Sequence, residues 1–487
     1  MSPALTRYRA EWFGTLRNAW RDILAGMVGT FALIPEVIAF SFVAGVDPQV
    51  GLYASFVISV VIAFAGGRPA MISGAAGSVA LVAAALVRGH GVQYLLLATL
   101  AAGGIQVAFG LLRLDVLMRY VSRSVRTGFV NALAILIFSA QVPQMLDVTW
   151  HTYALIAAGL LVIYGVPRLF TTIPSPLVCV LVLTAATIAI PMPVRTVADL
   201  GRLPDSLPHL VLPAVPWTFE TLAIVAPYAL AMAVVGLLES MMTASVVDDM
   251  TDTTSSKAQE CTGLGLANLA AGLFGGIAGC GMIGQTVGNV RYGGRGRLST
   301  LVAGVFLLIL MVLLRPFVAQ VPVAALVAIM IMVSISTFSW SSLRELTTHP
   351  KVSSLVMLLT VAVTVATHNL AAGVAVGVLL SGVFFAFKVT RLLHVASRLD
   401  GDTRTYAVTG QVFFASADIF ADQFDPRDEA RRVVIDLGGA HLWDITAVGA
   451  LEGVVTRLRR RGIAVEVLGL NKASATLVDR HAPLVSP

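Results

Sequence analysis

Long apolar runs follow one another along most of the chain, from Ile23 to about His394. A helix that crosses the hydrocarbon core of a bilayer needs about 20 mostly apolar residues. Glycine, proline and charged residues divide these runs into about fourteen segments, two of which are too short to cross as regular helices. The pattern therefore predicts an α-helical membrane protein.

The pattern changes after Asp400, where charge becomes dense and the apolar runs shorten to strand length, as in "VVIDL" and "IAVEVLGL". From about Arg404 the order is strand, short helix, strand, helix, strand, helix. The sequence thus predicts three parts. They are an N-terminal amphipathic cytoplasmic segment over residues 1–20, a membrane domain over 21–396, and a soluble α/β domain over 400–487.

Composition and charge support this division. Of 487 residues, 57% are hydrophobic and 12% are charged, whereas about a quarter of a soluble protein is charged. When the spans are assigned, nineteen Lys and Arg residues fall on the side of the N-terminus and four on the other, namely Arg88, Arg195, Arg202 and Arg315. The positive-inside rule then places both termini in the cytoplasm, in an inner or plasma membrane, and explains the net charge of +6 without nucleic acid.

The residues give no sign of catalytic or metal chemistry. The cysteines Cys179, Cys261 and Cys280 are scattered, with no CxxC and no nearby histidine pair. Ser/His/Asp order, HExxH and a Walker glycine loop are absent from the sequence. We therefore expect no enzyme, no metal and no cofactor.

Two glycine-rich stretches of similar sequence lie far apart in the chain: "MISGAAGSV" at residues 71–79 and "MIGQTVGNV" at 282–290. A glutamate inside an apolar segment precedes each stretch, with one full span between them. The two glutamates are Glu36 in "LIPEVIAFSF" and Glu239 in "GLLESMMTAS". This pattern is typical of an inverted repeat, in which two broken helices direct their N-terminal amides at an anion in mid-membrane. The alternative is that these small residues only allow close helix packing.

Glu36 and Glu239 are the acidic residues that fall in mid-span, and no Lys or Arg does. Charge at that depth costs roughly 2.5–3.5 kcal/mol and usually marks function. Without a cationic partner, a buried carboxyl group tends to hold its proton. The residues therefore predict proton-coupled anion symport; a structural role for two protonated glutamates is the alternative.

Several motifs in order resemble the SLC26/SulP anion transporters: "PEVIAF", "GLYASF", "GLLES", "LGLANLAAGLFGG" and "VPVAALVAIMIMV". The resemblance implies a seven-plus-seven inverted repeat with a UraA-like core domain (spans 1–4 and 8–11) and gate domain (spans 5–7 and 12–14). It also implies an elevator mechanism and a homodimer formed partly through the soluble domain. The implied substrate pocket consists of Glu36, Phe40, Gly74, Ala75, Ala76, Gly284, Gln285 and Thr286, with Glu239 beside it.

Three positions differ from many animal relatives, which have glutamine at Glu36, an aromatic residue at Ala76 and arginine at Gln285. The first and third differences remove positive potential, and the second enlarges the pocket. We therefore expect the substrate to be a small carboxylate or dicarboxylate, and we do not expect simple chloride exchange. Phe40, one turn after Glu36 on the same helix face, is placed in the site, although a core position is the commoner fate of a phenylalanine.

The tail is similar to STAS domains, with Asp444 as a helix N-cap and Gly462 ending that helix. Where related bacterial regulators have a phosphorylated serine, this chain has "DITA", so Thr446 is a candidate regulatory phosphosite. The alternative is a module for assembly or trafficking.

Other functions stay open at this point. One is uncoupled or sodium-coupled transport or exchange of bicarbonate, sulfate or chloride. A nucleobase permease would share the fold, although the STAS-like domain and "GLYASF" speak against it. A channel could use the same broken helices.

Overall fold

The computed structural model describes residues 11–12, 15–169, 174–348, 350–425 and 430–482. They divide into two compact units, with the boundary between Val378 and Leu379. Most of the predicted amphipathic segment over residues 1–20 lies outside the described residues. Helix α1 begins at Leu16, where Thr15 caps it by accepting a hydrogen bond from the N–H of Asn18 at 3.3 Å.

The first half of the membrane unit contains, within its described residues, seven segments. They are α1 (Leu16–Ala44), α2 (Pro48–Ala65), strand β1 (Ser73–Ala75) with helix α3 (Gly77–His90), α4 (Val92–Leu111), α5 (Arg123–Ser139), α6 (Trp150–Leu169) and α7 (Ser175–Ala189). The break between α2 and α3 coincides with Gly66, Gly67 and Pro69, which interrupt regular helix.

The second half repeats this order and adds two short helices. Its elements are α8 (Phe219–Thr251), α9 (Lys257–Leu273), strand β2 (Gly279–Gly281) with helix α10 (Ile283–Arg291), α11 (Arg297–Leu313), the short α12 (Arg315–Ala319), α13 (Val323–Thr337), the short α14 (Ser341–Thr348), α15 (Lys351–Thr367) and α16 (Leu370–Thr390). Here the chain breaks after α9 at Gly275, whose φ of +74° favours glycine.

The membrane segments differ in length. In the described part of the chain, eight helices are long and apolar enough to cross a membrane by length and composition, and α3, α7, α11 and α15 are shorter apolar helices. Helix α9 and the strand-and-helix unit of β2 and α10 complete the fourteen segments. The third and tenth segments, each made of a strand and a short helix, are the two that the sequence predicts to be too short for a regular spanning helix.

The two halves are related as an inverted repeat, and strands β1 and β2 meet at its centre. They pair antiparallel, with Ser73 opposite Gly281, Gly74 opposite Cys280 and Ala75 opposite Gly279. Because the strands hold equivalent places in the two halves, Gly74 pairs with its own counterpart, Cys280. The strand pair thus joins equivalent segments of the two halves.

The predicted match between the two glycine phrases is out of register. Strand β1 and the start of α3 lie within residues 71–79, whereas residues 282–290 begin at the N-cap of α10 and are almost wholly helical. Gly77, the first residue of α3, thus corresponds to Ile283 and not to Gly288. The Met, Ile, Gly and Val residues that the two stretches share do not mark equivalent positions, because small and apolar residues are abundant in every segment.

Helix packing in the membrane unit falls into two groups that follow the repeat. Helix α9 packs against α2 and α4, while α11 packs against α1 and α2, and α8 packs against α4. In the second group, α5 packs against α13 and α15, and α6 packs against α7 and α13. The pairing of α9 with α4 has its counterpart in the pairing of α2 with α11, as an inverted repeat requires.

Glycine allows helices α4 and α9 to touch along their backbones. A Cβ atom on Gly103 would lie 2.7 Å from the amide nitrogen of Leu269 and 2.8 Å from the carbonyl oxygen of Gly265. A Cβ atom on Gly265 would lie 2.5 Å from the amide nitrogen of Val107. This close approach is the usual reason for small residues at helix contacts in membranes.

The second unit begins within α16, and its described residues after that helix form a four-stranded sheet with three helices. Its elements are β3 (His394–Asp400), β4 (Thr403–Val412), α17 (Ala417–Asp422), β5 (Arg432–Leu442), α18 (Ile445–Arg459), β6 (Ala464–Leu468) and α19 (Lys472–His481). The strand order is β3-β4-β5-β6; β3 and β4 are antiparallel, and the other two pairs are parallel. The order from β4 onward agrees with the sequence prediction, but β3 begins before Asp400.

The core of this unit lies between the sheet and its helices, and includes Val408, Phe420, Ile435 and Leu451. Asp444 caps α18 as predicted, since its carboxylate accepts a hydrogen bond from the N–H of Ala447 at 2.9 Å.

Candidate functional site

The strand pair β1 and β2 forms the floor of the candidate site, and hydrogen bonds extend it beyond the paired residues. The N–H of Met282 donates to the carbonyl oxygen of Ile72 at 2.9 Å. The hydroxyl group of Thr286 accepts from the N–H of Ile72 at 2.9 Å and contacts the Ile72 carbonyl oxygen at 3.2 Å. The start of α10 is thus fixed to the strand that leads into α3.

Strand β1 is held from one side by two serines of α2. The Ser55 hydroxyl oxygen accepts a hydrogen bond from the N–H of Ala75 at 3.0 Å, and the Ser59 hydroxyl donates to the Ser73 carbonyl oxygen at 2.7 Å. Both serines are buried. The strand can therefore cross the membrane interior with its backbone groups paired, as the lack of water there requires.

Strand β2 is held by polar residues of α8 and α9. The Ser240 hydroxyl oxygen accepts from the N–H of Gly281, and the Thr243 hydroxyl donates to its carbonyl oxygen, both at 2.8 Å. The side chain of Asn268 accepts from the N–H of Gly279 at 2.8 Å and donates to its carbonyl oxygen at 3.1 Å. The buried side-chain amide of Asn268 thus makes the two backbone hydrogen bonds that a neighbouring strand would otherwise make with Gly279.

Helices α3 and α10 begin next to this strand pair without side-chain caps. Their N-cap residues, Ala76 and Met282, make no side-chain hydrogen bond to the first turn. Within the described residues, the amide N–H groups of residues 77–79 and 283–285 have no acceptor. Unpaired amides at a helix start have a partial positive charge and bind anions.

One face of α1 reaches both helix starts. The Glu36 carboxyl group is hydrogen-bonded by the side chain of Gln285, which is buried in the first turn of α10. One turn later, the buried Phe40 packs on the start of α3. Its ring is so close that a Cβ atom added to Gly77 would lie 2.7 Å from the Phe40 atom Cε1. The expected neighbourhood of Glu36, Phe40 and Gln285 is therefore present.

Glu239 on α8 makes the corresponding contact with the other helix start. Its oxygen Oε2 accepts a hydrogen bond from the hydroxyl group of Ser78, the second residue of α3. The thiol of Cys280 in β2 donates to the same oxygen at 3.1 Å, and Ser78 Oγ lies 3.9 Å from Cys280 Sγ. The glutamate thus bonds to both broken segments.

The two glutamates are crossed between the repeats. Glu36 belongs to the first half and contacts α10 of the second, whereas Glu239 belongs to the second half and contacts α3 of the first. Both side chains are half-buried. None of the ion pairs found among the described residues includes either glutamate. Within this part of the chain, neither carboxyl group is therefore neutralised by a paired Lys or Arg side chain.

The remaining predicted pocket residues differ in what they present to a ligand. Gly74, Ala75 and Ala76 are buried in and after β1. Gly284 is exposed, and a Cβ atom added to it would meet nothing within 4 Å. Thr286 was predicted to contact substrate, but its hydroxyl is bonded to Ile72 and its N–H to the Met282 carbonyl oxygen. Its place in the structure is that of a brace.

Three residues of this site are not among the individually named candidates: Gly77, Ser78 and Cys280. Gly77 and Ser78 belong to the glycine-rich stretch that was predicted to form one wall of the site, and they are the first two residues of α3. The contacts of Ser78 and Cys280 with Glu239 join positions 161 and 41 residues apart, which spacing alone does not reveal. Cys280 is one of three scattered cysteines for which the sequence indicates no role.

Thr446 lies in the second unit, exposed in the first turn of α18 beside the cap Asp444. Its hydroxyl is open to modification by position. The phosphosite itself stays a prediction.

Comparison with protein families gives two matches. The membrane part matches the sulfate permease family over residues 20–156 and 148–360. Residues 395–482 match the STAS domain.

Curated relatives extend over nearly the whole chain. YbaR of Bacillus subtilis, named for sulfate transport, is 51% identical over 97% of this chain and 98% of its own length. The bicarbonate transporter BicA of Picosynechococcus is 24% identical over 93% of this chain and 89% of its own. These relatives are transporters, so the expectation that this chain is not an enzyme is confirmed.

Solved structures share the fold. Murine Slc26a9, an anion transporter in the inward-facing state, matches with a TM-score of 0.83 at 17% identity, over 95% of this chain and 87% of that one. The transmembrane domain of a cyanobacterial BicA matches with a TM-score of 0.68 at 24% identity, over 74% of this chain and 98% of that one. The predicted membrane fold with its STAS domain is therefore confirmed, and the chain belongs to the sulfate permease family, the SulP/SLC26 anion transporters.

Proposed function

We propose that this transporter moves a small carboxylate or dicarboxylate across the membrane together with protons. The observation that supports this most is the crossed pair of glutamates: each half-buried carboxyl group contacts the uncapped start of the other repeat's broken helix. The site thus combines a place for an anion with two groups that can take up protons.

The anion would lie between the starts of α3 and α10. The free amides of residues 77–79 and 283–285 supply donors and partial positive charge. Gln285 adds an amide but no full charge. An anion there would face Glu36 and Glu239, and two carboxylates repel it unless they are protonated. Proton uptake and anion binding would therefore favour each other.

Small residues at the two helix starts favour an anion larger than a halide. Ala76 has a small side chain at the N-cap of α3, and the space beside Gly284 is open. A carboxylate group accepts several N–H donors, and a second carboxylate on the same molecule could reach the second helix start. Sulfate is the second candidate, because YbaR, which is named for sulfate transport, is 51% identical to this chain.

The mode of movement follows from the packing groups. We propose that the group containing α1–α4 and α8–α11 is the core domain, which moves with the anion, and that the α5–α7 and α12–α16 group is the gate. Polar contacts such as Asn268 with Gly279 and Ser55 with Ala75 hold the core together as one body. The cytoplasmic position of both termini and a homodimer formed partly through the STAS domain remain proposals on the grounds given above.

Purified protein in liposomes tests the function. Labelled succinate, sulfate and bicarbonate are offered with and without an inward proton gradient, and with a sodium gradient in parallel. We expect succinate uptake to rise with the proton gradient, to fall when a protonophore is added, and to ignore sodium. Glu36→Gln should weaken the response to the gradient, while Glu220→Gln, an exposed glutamate in the first turn of α8, should not. Uptake that ignores the proton gradient would contradict the coupling, and preference for sulfate would correct the substrate.

A further inference from the structure

We propose that Ser78 links anion binding to the protonation of Glu239 by donating its single hydroxyl hydrogen either to the glutamate or to the anion. This inference rests on the proposed proton-coupled function. It assigns roles to Ser78 and Cys280 in addition to those of the two glutamates.

The position of Ser78 gives its hydroxyl group two possible acceptors. In the structure, the hydroxyl donates to Oε2 of Glu239. Ser78 is also the second residue of α3, among the residues 77–79 whose amides have no acceptor in the described chain. An anion bound by those amides would lie within reach of a hydroxyl in the same turn. Because a serine hydroxyl has one hydrogen to donate, it serves one acceptor at a time.

The state of Glu239 would then depend on the anion. In the structure, Ser78 and Cys280 both donate to Oε2, which suits an ionised carboxylate. When Ser78 turns to the anion, Oε2 keeps only the thiol, a weak donor. A half-buried carboxylate that loses a donor and gains an anionic neighbour becomes less stable than its acid form.

The compensating step is uptake of one proton from water in the open site. A hydronium ion gives its proton to the carboxylate, which leaves a water molecule and a neutral carboxylic acid. Oε1 is the oxygen available for that proton, since it has no hydrogen-bond partner among the described residues and is not a fully buried atom. The proton then crosses with the anion and leaves on the other side.

Few other groups compete for this role. Helices α3, α4, α9, α10 and strand β2 pack against α8. The titratable side chain that contacts Glu239 from these elements, within the described chain, is Cys280. Their other titratable groups stand at helix ends: Arg88 and His90 in α3, Tyr94 in α4, Lys257, Glu260 and Cys261 in α9, and Arg291 in α10.

Cys280 acts as a positioning residue. It belongs to β2, pairs with Gly74, and is fully buried, so its thiol is fixed in place by the strand pair. Through its contact with Oε2 it holds the Glu239 side chain toward α3. Cys280→Ser keeps a donor at this position, whereas Cys280→Ala removes it.

The test uses the full chain in liposomes loaded with a pH-sensitive dye, so that protons and labelled succinate or sulfate are counted in the same vesicles. For Ser78→Ala we expect the KM for the anion to rise about tenfold, as for loss of a hydrogen bond to a charged group. We also expect KM to lose most of its dependence on pH. Ser78→Thr should retain both properties. Ser245→Ala, which removes a hydroxyl whose one partner in the described chain is Met241 of its own helix, should resemble the parent protein.

The outcomes separate this inference from the proposed function. If the parent protein moves no protons with the anion, the proposed function fails. If the parent is coupled and Ser78→Ala keeps the same KM and pH dependence, the role of Ser78 is wrong and the function stands. Should Ser78→Ala not fold, Ser78→Val decides, because valine has the shape of threonine without the hydroxyl group: an anion KM that has lost most of its dependence on pH supports the link, and an unchanged pH dependence overturns it.

Discussion

The hydroxyl group of Ser78 and the carboxyl group of Glu239 are hydrogen-bonded across 161 residues of chain. The bond joins the start of a broken helix in one repeat to a mid-membrane glutamate in the other. Glu36 and Gln285 repeat the arrangement with the halves exchanged. An inverted repeat thus places two carboxyl groups and two helix starts around one space.

The contact between Phe40 and Gly77 should limit the size of residue 77. Gly77→Ala places a Cβ atom 2.7 Å from the Phe40 ring, which either displaces the ring or tilts the start of α3. We expect anion uptake to fall by about tenfold, the equivalent of roughly 1.4 kcal/mol, within the range for overpacking. Phe40→Ala added to Gly77→Ala should recover part of the loss if the clash is the cause. A double variant no better than Gly77→Ala would contradict the clash.

Helix packing between α4 and α9 offers a matched pair of neighbouring glycines. Gly103→Ala meets backbone atoms of α9 at 2.7–2.8 Å, whereas a Cβ atom on Gly104 meets nothing within 4 Å. We expect Gly103→Ala to lower the free energy of unfolding by about 1–3 kcal/mol and Gly104→Ala to leave it unchanged or raise it by up to about 1 kcal/mol. Thermal unfolding in detergent measures both. Equal melting temperatures for the two variants would contradict the packing.

The amide of Asn268 should be necessary for strand β2. Asn268→Ala leaves the N–H and carbonyl groups of Gly279 without their partner and also removes the contact with Gln106. A buried unpaired polar group costs about 1–3 kcal/mol, so we expect a clear drop in thermal stability. The control is Gln320→Ala, which removes an exposed side chain bonded to the carbonyl oxygen of Pro316. Comparable melting temperatures for the two variants would count against this role.

In the second unit, Asp444 should stabilise the first turn of α18. Its carboxylate accepts hydrogen bonds from the N–H groups of Ala447 at 2.9 Å and Phe414 at 2.7 Å. Loss of an N-cap costs about 1 kcal/mol, so Asp444→Ala should speed hydrogen exchange of that turn about fivefold in the full chain. Asp444→Asn keeps an acceptor and should exchange at nearly the parent rate. Exchange unchanged in Asp444→Ala would show that the cap is dispensable.

Much of this architecture could be predicted because burial in a membrane leaves a strong mark on sequence. The spans, the short third and tenth segments, and the isolated glutamates Glu36 and Glu239 all follow from where charge and glycine interrupt apolar runs. The same marks predicted the neighbourhood of Phe40 and Gln285, with help from family resemblance. The order of elements in the STAS domain followed from alternating short apolar runs.

The parts that could not be predicted depend on contacts between distant residues. The two glycine-rich stretches predict that Gly77 corresponds to Gly288, because the neighbours of these two residues are similar. The strand pairing, which aligns Gly77 with Ile283 instead, cannot be read from the local sequence pattern. Ser78 and Cys280 are ordinary small residues until the fold brings them to Glu239. Thr286 is a predicted substrate residue only through the family resemblance, and in the structure its hydroxyl is bonded to the backbone of Ile72.

The most direct measurement counts protons and labelled succinate entering the same dye-loaded liposomes, for the parent protein, for a Glu36→Gln/Glu239→Gln variant and for Glu220→Gln. We predict that protons accompany the anion in the parent and in Glu220→Gln. The double variant should still exchange labelled for unlabelled anion but should no longer accumulate it with a proton gradient. Proton-driven accumulation that persists in the double variant would contradict the proposed role of the two crossed glutamates.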